Sequence, residues 1–371
     1  MTDLQKCLCA LGGLFVVLPL VAAEPADSSQ SWSWRIELSN RYDSNVTELS
    51  DTDRDRVEDP DCRSTPSCAS RFVIKSPDDF VVTPYARIDW SHGAPGSVET
   101  TARVEARVNR YAENSVKDYE RYSVRLSRDL TPARNFDTTL ILRASDTPHF
   151  YLRELTVPEA SRVQGTTVRD SARYASMRYG VALNQLLVPG RLDIEASRDR
   201  DDRDYDVPFD ERDGDLSGLG VELTLRVTHD RGFTLRGGYQ SESYDAAGDQ
   251  ARTIAIEPDI SSDRKTASLG TDFRWGRQEA RRGVLSIDLK QEQRDFLSDE
   301  PTDVYHFGRR DTRFGARIEV RQPVGEHFYL ELGVEHEDNE SDLGPAANSS
   351  SSDEATDYTR SLGWASLGWV F

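Results

Sequence analysis

Residues 98–109 read Val98-Glu99-Thr100-Thr101-Ala102-Arg103-Val104-Glu105-Ala106-Arg107-Val108-Asn109. Even positions are apolar or small and odd positions are mostly charged. In a strand those two sets point to opposite faces. One face is fit for an apolar environment and the other carries Arg103, Glu105 and Arg107, which need water or partners. The same alternation sets Trp34, Ile36 and Leu38 against Arg35, Glu37 and Ser39. It returns in Tyr122, Val124 and Leu126, in Leu219, Val221, Leu223, Leu225 and Val227, and in Ala267 to Trp275. It appears again in Phe328, Leu330, Leu332 and Val334. The period is two almost throughout, and no sustained helical periodicity appears.

Counted this way, the chain holds about fourteen strands of the ~10 residues that a tilted spanning strand requires. Their approximate spans are 32–42, 80–90, 97–111, 118–130, 136–145, 172–184, 191–199, 217–229, 233–244, 265–275, 284–294, 311–321, 327–337 and 358–371. The connections alternate in length. Tight turns such as Val188-Pro189-Gly190 and Asp230-Arg231-Gly232 alternate with long loops at 43–79, 146–171, 200–216, 245–264, 295–310 and 338–357, with 112–117 as a short exception. Sorting of this kind is the pattern of a transmembrane antiparallel outer-membrane β-barrel. The aromatics agree: Trp32, Trp34, Trp90, Trp275, Trp369, Phe136, Phe233, Phe273, Phe328 and Phe371 fall near the turn-side strand ends. A girdle at headgroup depth predicts that placement.

The 371 residues carry 65 acidic against 46 basic side chains, a formal charge of −19, with a mean hydropathy of −0.64. Such acidity argues against nucleic acid as a partner, which needs a basic face. No apolar run after residue 23 approaches the ~20 residues of a spanning helix. The first 23 residues hold an apolar stretch ending in Val21-Ala22-Ala23, the pattern of a cleaved secretory signal. Cys7 and Cys9 would leave with it. Cys62 and Cys68, with five residues between them in a polar segment, are expected to form a surface-loop disulfide in an oxidising compartment.

The long loops hold most of the acids. Segment 43–79 has ten acids and five bases, 199–216 nine and three, and 338–357 six and none. Solvated loops account for this, as would divalent cations bridging to lipopolysaccharide phosphates. The run Asp199-Arg200-Asp201-Asp202-Arg203-Asp204 lacks regular calcium-loop spacing, and no metal site is named.

The last strand ends Gly363-Trp364-Ala365-Ser366-Leu367-Gly368-Trp369-Val370-Phe371. It resembles the C-terminal signature by which bacterial outer-membrane barrels are recognised for assembly, which implies the barrel-assembly machinery as a partner through Phe371. The segment Arg41-Tyr42-Asp43-Ser44-Asn45-Val46 resembles the YDSNV segment of outer-membrane porins of the exopolysaccharide-associated type. It is also similar to the start of the barrel domain in surface-lipoprotein assembly modifiers. Arg41 stands where that segment usually has Gly. The resemblance implies an outer-membrane location, and a role in passage of solutes or export of surface polymer.

No catalytic, cofactor or metal motif is legible, and an enzyme is not expected. His336, with Glu335, Glu337 and Asp338 beside it, is the one rim arrangement on which a hydrolase reading rests. The inward faces say more. Arg103, Arg107, Arg121, Arg125, Arg226, Arg236, Arg313, Arg317, Glu105 and Glu331 are the pore-lining candidates. Their charges form either a cross-strand ion-pair ladder or a hydrated channel for small hydrophilic or saccharide solutes. The accessory-export barrel and the rim hydrolase are the alternatives. Segment 146–171, with Phe150 to Pro158 the most apolar of the loops, is the expected constriction. Both termini are expected on the periplasmic side.

Overall fold

The computed structural model describes residues 30–69, 71–93, 98–130, 137–157, 164, 168–227, 232–247, 259–276, 282–299, 301, 303, 306–343 and 357–371. The signal segment 1–23, Phe136, His229 and the serine run 349–352 lie outside the described residues.

Fourteen antiparallel strands close into one barrel. They are β1 (Gln30–Asp43), β2 (Asp79–His92), β3 (Thr100–Tyr111), β4 (Tyr119–Asp129), β5 (Thr138–Thr156), β6 (Arg169–Val188) and β7 (Leu192–Tyr205). The second half is β8 (Gly214–Arg226), β9 (Phe233–Ala246), β10 (Ser262–Trp275), β11 (Gly283–Phe296), β12 (Arg310–Pro323), β13 (Phe328–Asp342) and β14 (Tyr358–Val370). Each strand pairs with its chain neighbours, and β1 closes on β14 with Ile36 opposite Trp369 and Asn40 opposite Ala365. Closure leaves no sheet edge, so every strand has a ladder partner on both sides. Three short helices, α1 (Asp51–Glu58), α2 (Pro60–Ser64) and α3 (Pro66–Ala69), lie in the first loop. The fold is that of an outer-membrane β-barrel.

Alternation decides which face meets lipid. Trp34, Ile36, Leu38, Val104, Leu219, Leu223, Leu269, Leu330, Leu332 and Leu367 are exposed on the outside. Their neighbours Arg35, Glu37, Arg103, Glu222 and Glu331 turn inward. A cationic side chain on the lipid face at mid-bilayer costs roughly 2–4 kcal/mol, so this register is strongly favoured over a one-residue slip. At the turn end the aromatics form the girdle, with Trp32 against Trp90 at 6.4 Å, Phe328 against Trp369 at 4.9 Å and Trp369 against Phe371 at 4.7 Å. Trp364 is the exception. It faces inward, and its indole lies over Gly333, its register partner, where an added Cβ would come within 2.0 Å of the ring.

The strands are longer at the loop end than the sequence suggests. β5 runs to Thr156, β6 begins at Arg169, β7 continues to Tyr205 and β13 to Asp342. His149 and the acidic run 199–204 therefore lie in strands, not loops. Buried apolar clusters gather at that same end: Leu49, Val57, Ile74 and Tyr151 in one, Val46, Val81 and Tyr111 in another, and Ala172, Tyr205 and Phe209 in a third.

Candidate functional site: the lumen and its inward first loop

The first loop, residues 44–78, does not stand in solvent. Its Leu49 and Val57 are buried against Tyr151 of β5. Asp53 of α1 meets Arg153 of β5 at 3.8 Å. On the other side Glu48 meets Arg313 of β12 at 3.4 Å and Arg360 of β14 at 3.6 Å. In the strand order β5 and β12 are seven places apart, half the circumference of a fourteen-stranded barrel. The loop therefore spans the lumen from wall to wall.

The segment Tyr42 to Val46 makes the turn inward. Asp43, fully buried, accepts from Arg360 at 2.9 and 2.5 Å in a bidentate pair. Ser44 Oγ accepts from the Ser361 backbone N–H at 2.8 Å. Asn45 donates from Nδ2 to the carbonyls of Leu49 (2.7 Å) and Thr359 (3.0 Å), and its Oδ1 accepts from the Leu49 N–H. One side chain thus closes the turn and ties it to β14. Val46 then packs on Val81 and Tyr111. Beyond the turn, Ser50 caps α1 by accepting from the Asp53 N–H, and Asp59 caps α2 through the Asp61 N–H, as helix N-termini require. Cys62 and Cys68 are joined in a disulfide with Cα atoms 5.1 Å apart, linking α2 to α3. The far end of the loop is held by Asn114, which accepts from the Lys75 N–H and donates to the Ser76 carbonyl.

Lys117, in the short turn Ser115–Lys117 between β3 and β4, braces Tyr151, the residue against which the loop packs. Its Nζ donates to the Tyr151 carbonyl at 3.2 Å and lies 5.3 Å from the Phe150 and Tyr151 ring centres. Complete burial pushes its pKa down to about 8, against the pull of Glu48, Asp43 and Glu154.

Below the loop the lumen opens. A cavity of about 460 Å³ reaches from Arg103 of β3 round to Ser268 of β10, which is again seven strands. A second, of about 520 Å³, continues towards the turn end along Arg87, Asp89, Arg103, Arg125 and Ser127. Arg103, Arg121, Arg125 and Glu105 line the first cavity together with Arg143, Arg178, Glu195 and Glu222.

The walls differ in how their charges are satisfied. From β5 to β11 a chain of ion pairs runs Arg143 to Asp199 (2.8 Å), Asp199 to Arg178 (3.5 Å), Arg178 to Glu242 (3.4 Å), then Arg264, Glu292 and Lys290. Arg236 pairs with Asp272 (2.5 Å) and Asp288 (2.9 Å), Arg226 with Asp193, and Arg317 with Glu319. Glu331 accepts from Arg321 (2.5 Å) and from Trp364 Nε1 (3.2 Å). On β3 and β4 the balance changes. Arg103 holds Asp89 at 2.7 Å and Glu105 accepts from Tyr85 and Ser123. Arg107 lies over the Tyr85 ring at 5.5 Å, while Arg121 and Arg125 have no carboxylate partner among the described residues. Register places Arg107 opposite Arg121, and Arg103 opposite Arg125, which itself faces Arg143. Like charges directly opposite repel, so this patch persists only where water or an anion screens it.

Two expectations need correction. The described residues of segment 146–171 do not form the constriction: Phe150 to Thr156 continues β5, with Tyr151 packed against the first loop, and the first loop itself crosses the lumen. His336 does not assemble a rim acid–base site either. It lies on the outward face of β13, bonded to Ser361 Oγ at 3.0 Å, while Glu335 and Glu337 alternate to the inward face. No cluster of three metal-ligating side chains occurs among the described residues.

Comparison with protein-family models finds no match for this chain, and comparison with curated proteins finds none either. Among solved structures the chain is similar to the outer membrane channel DcaP of Acinetobacter baumannii, at 11% identity and TM-score 0.43, over 94% of this chain and 99% of that one. It is similar to an anion-selective porin from Comamonas acidovorans, at 10% identity and TM-score 0.42, over 93% and 100%. A bacterial polysaccharide outer membrane secretin aligns at 9% identity and TM-score 0.40, over 91% and 97%. Likeness at this level transfers neither substrate nor residue role to this chain.

Proposed function

We propose that the barrel is a porin-like channel of the outer membrane for small hydrophilic or saccharide solutes, with a preference for anions and with both termini on the periplasmic side. The observation that carries this reading is the pair Arg121 and Arg125, which line the mid-lumen cavity with no carboxylate partner among the described residues, Arg121 having Arg107 as its register neighbour. Buried dry, such a patch would be prohibitively costly, whereas in a water-filled lumen it concentrates anions. Hydroxyls of Ser123, Ser145, Ser197, Thr266 and Ser268 line the same space and suit polyhydroxylated solutes. No chemistry on the solute is invoked. The test is single-channel conductance of the refolded barrel in a planar bilayer, with reversal potentials under a salt gradient. Stable steps with an anion-selective reversal potential are expected. A correctly folded, heat-modifiable barrel that never conducts overturns the reading.

The loop across the mouth favours a second reading, an accessory barrel for export of exopolysaccharide or surface protein that opens on demand. Deletion of the gene with surface polymer unchanged would dismiss it.

A further inference from the structure

The loop-end pairings in the lumen are unequal, and Glu48 is the weak one. Asp43 is fully buried and grips Arg360 at 2.9 and 2.5 Å through two parallel bonds. Glu48, five residues on, reaches the same guanidinium at 3.6 Å and Arg313 at 3.4 Å. Its side chain is 38% exposed, against 28% for Arg313 and 18% for Arg360. The cations are thus more deeply set than the anion they hold.

The backbone tells the same story. Glu48 has φ +56°, the one positive value on a non-glycine residue among the described residues. For a residue with a long side chain this left-handed conformation is strained, and it persists because Asn45 clamps the turn on either side of it. The buried Arg313 Nε makes no hydrogen bond among the described residues, and Arg360 shares its remaining contact with Glu337, whose Oε2 lies 3.6 Å from Nη1. Arg313 also lies over the Tyr358 ring at 5.4 Å. Two guanidinium groups from different strands beside an aromatic face form a seat for a planar carboxylate. The carboxylate now in it is a poor fit.

We infer that Glu48 is a tethered stand-in for a solute: its carboxylate occupies an anion site built by Arg313 and Arg360 that accepts the carboxylate of a small polyhydroxylated acid when the first loop lifts. The inference rests on the channel reading for its solute class, and its test does not depend on conduction. Asp43 and Asn45 remain the hinge, and Glu48 is the part that is exchanged. Incoming acid and loop compete for the same guanidinium groups, so solute shifts the loop outward by its preference for the vacated site.

The experiment is calorimetric titration of the full refolded barrel with sodium gluconate, with glucose as the neutral control, in the native chain and in Glu48→Gln. Removing the internal competitor is expected to tighten gluconate binding at least tenfold and to leave glucose unchanged. Adding Arg313→Gln to Glu48→Gln is expected to abolish the gain. Equal gluconate affinity in the native and Glu48→Gln barrels overturns the proposal. The native chain gives a check that needs no variant. At constant ionic strength gluconate, not glucose, should speed tryptic cleavage after Arg54, Arg56 or Arg63, and unchanged cleavage counts against the idea. A barrel that conducts but shows neither effect keeps the channel and loses the tethered carboxylate. One that never conducts yet gains gluconate affinity in Glu48→Gln loses the channel and keeps the site.

Discussion

The two ends of this lumen solve opposite problems. At the loop end, apolar clusters, a doubly bonded Asp43–Arg360 pair and a capped helical segment close the barrel from wall to wall. In the middle, a cavity runs across the barrel, one of its walls pairs its charges in a chain, and the other leaves Arg121 and Arg125 without a carboxylate partner among the described residues. Bare guanidinium groups are tolerable only where water reaches them, and apolar clusters form only where it does not. The contrast therefore locates a dry cover over a wet interior. On the proposed channel reading, filter and gate are then separate structures, which makes them separable by mutation.

The largest effect is expected from breaking the hinge. Asp43→Ala leaves Arg360 buried with only its longer contacts to Glu48 and Glu337. Losing one partner of a buried pair costs about 3–5 kcal/mol, comparable to what holds a loop in place. The barrel ladder does not depend on that pair, so the strands should persist while the loop is released. Single-channel conductance should rise at least twofold, and trypsin should cut within 51–63 in the folded barrel. Asp43→Asn, which keeps two of the contacts, should do less. Unchanged conductance in Asp43→Ala would mean the loop does not control access.

A smaller and different effect is expected in the middle. Arg121→Gln with Arg125→Gln removes two positive charges from the cavity and should leave loop cleavage as it is. Total conductance should change less than twofold, whereas the anion-to-cation permeability ratio should fall several-fold. An unaltered reversal potential would show that selectivity is set elsewhere.

How much of this was legible in the sequence follows from where water is. Within the bilayer one strand face meets lipid and the other the lumen, so Val98 to Asn109 alternates cleanly and strand number and facing can be read. Beyond the bilayer both faces are wet and the alternation disappears. Asp199 to Asp204 looks like loop because Arg200 and Asp202 face outward and pair with each other, while Asp199, Asp201 and Arg203 face inward and pair there. Phe150 to Thr156 misleads for the converse reason: Tyr151 packs with the first loop, and Leu152 and Leu155 pack against the cluster of Ala172, Tyr205 and Phe209. The inward first loop carries no periodic signal, since its burial depends on Leu49, Val57 and Ile74 scattered through an acidic stretch. The one available hint was the Tyr42 to Val46 segment, whose Asp and Asn are the residue types that close turns by bonding backbone. Alternation alone puts Arg103, Arg107, Arg121 and Arg125 on one strand face, whereas which of them lack a carboxylate partner among the described residues depends on the pairing across strands.

The gentlest test of the dry end uses pH. His306, in the loop between β11 and β12, is buried with its Nδ1 at 2.9 and 3.0 Å from the two Asp303 oxygens and its ring 5.2 Å from Phe296. Burial holds its pKa below the usual 6.5, Asp303 pulls the other way, and Arg212 and Arg309 add to the depression. Arg294 and Arg309 flank the same Phe296 ring, so a charged imidazole would join an already cationic corner. The fold favours the neutral ring, and the opened loop binds more protons once the pH falls below 6.5. By linkage the loop is at full stability above that value and loses it as acid is added. Hydrogen exchange at residues 306–309 should accordingly quicken between pH 6.5 and 5, after correction for intrinsic rates. His306→Gln, which cannot titrate, should flatten that dependence and leave the reversal potential of the mid-lumen cavity unmoved. If the exchange profile of His306→Gln still steepens in acid, a carboxylate rather than the imidazole governs this corner, and Asp303 is the first to substitute.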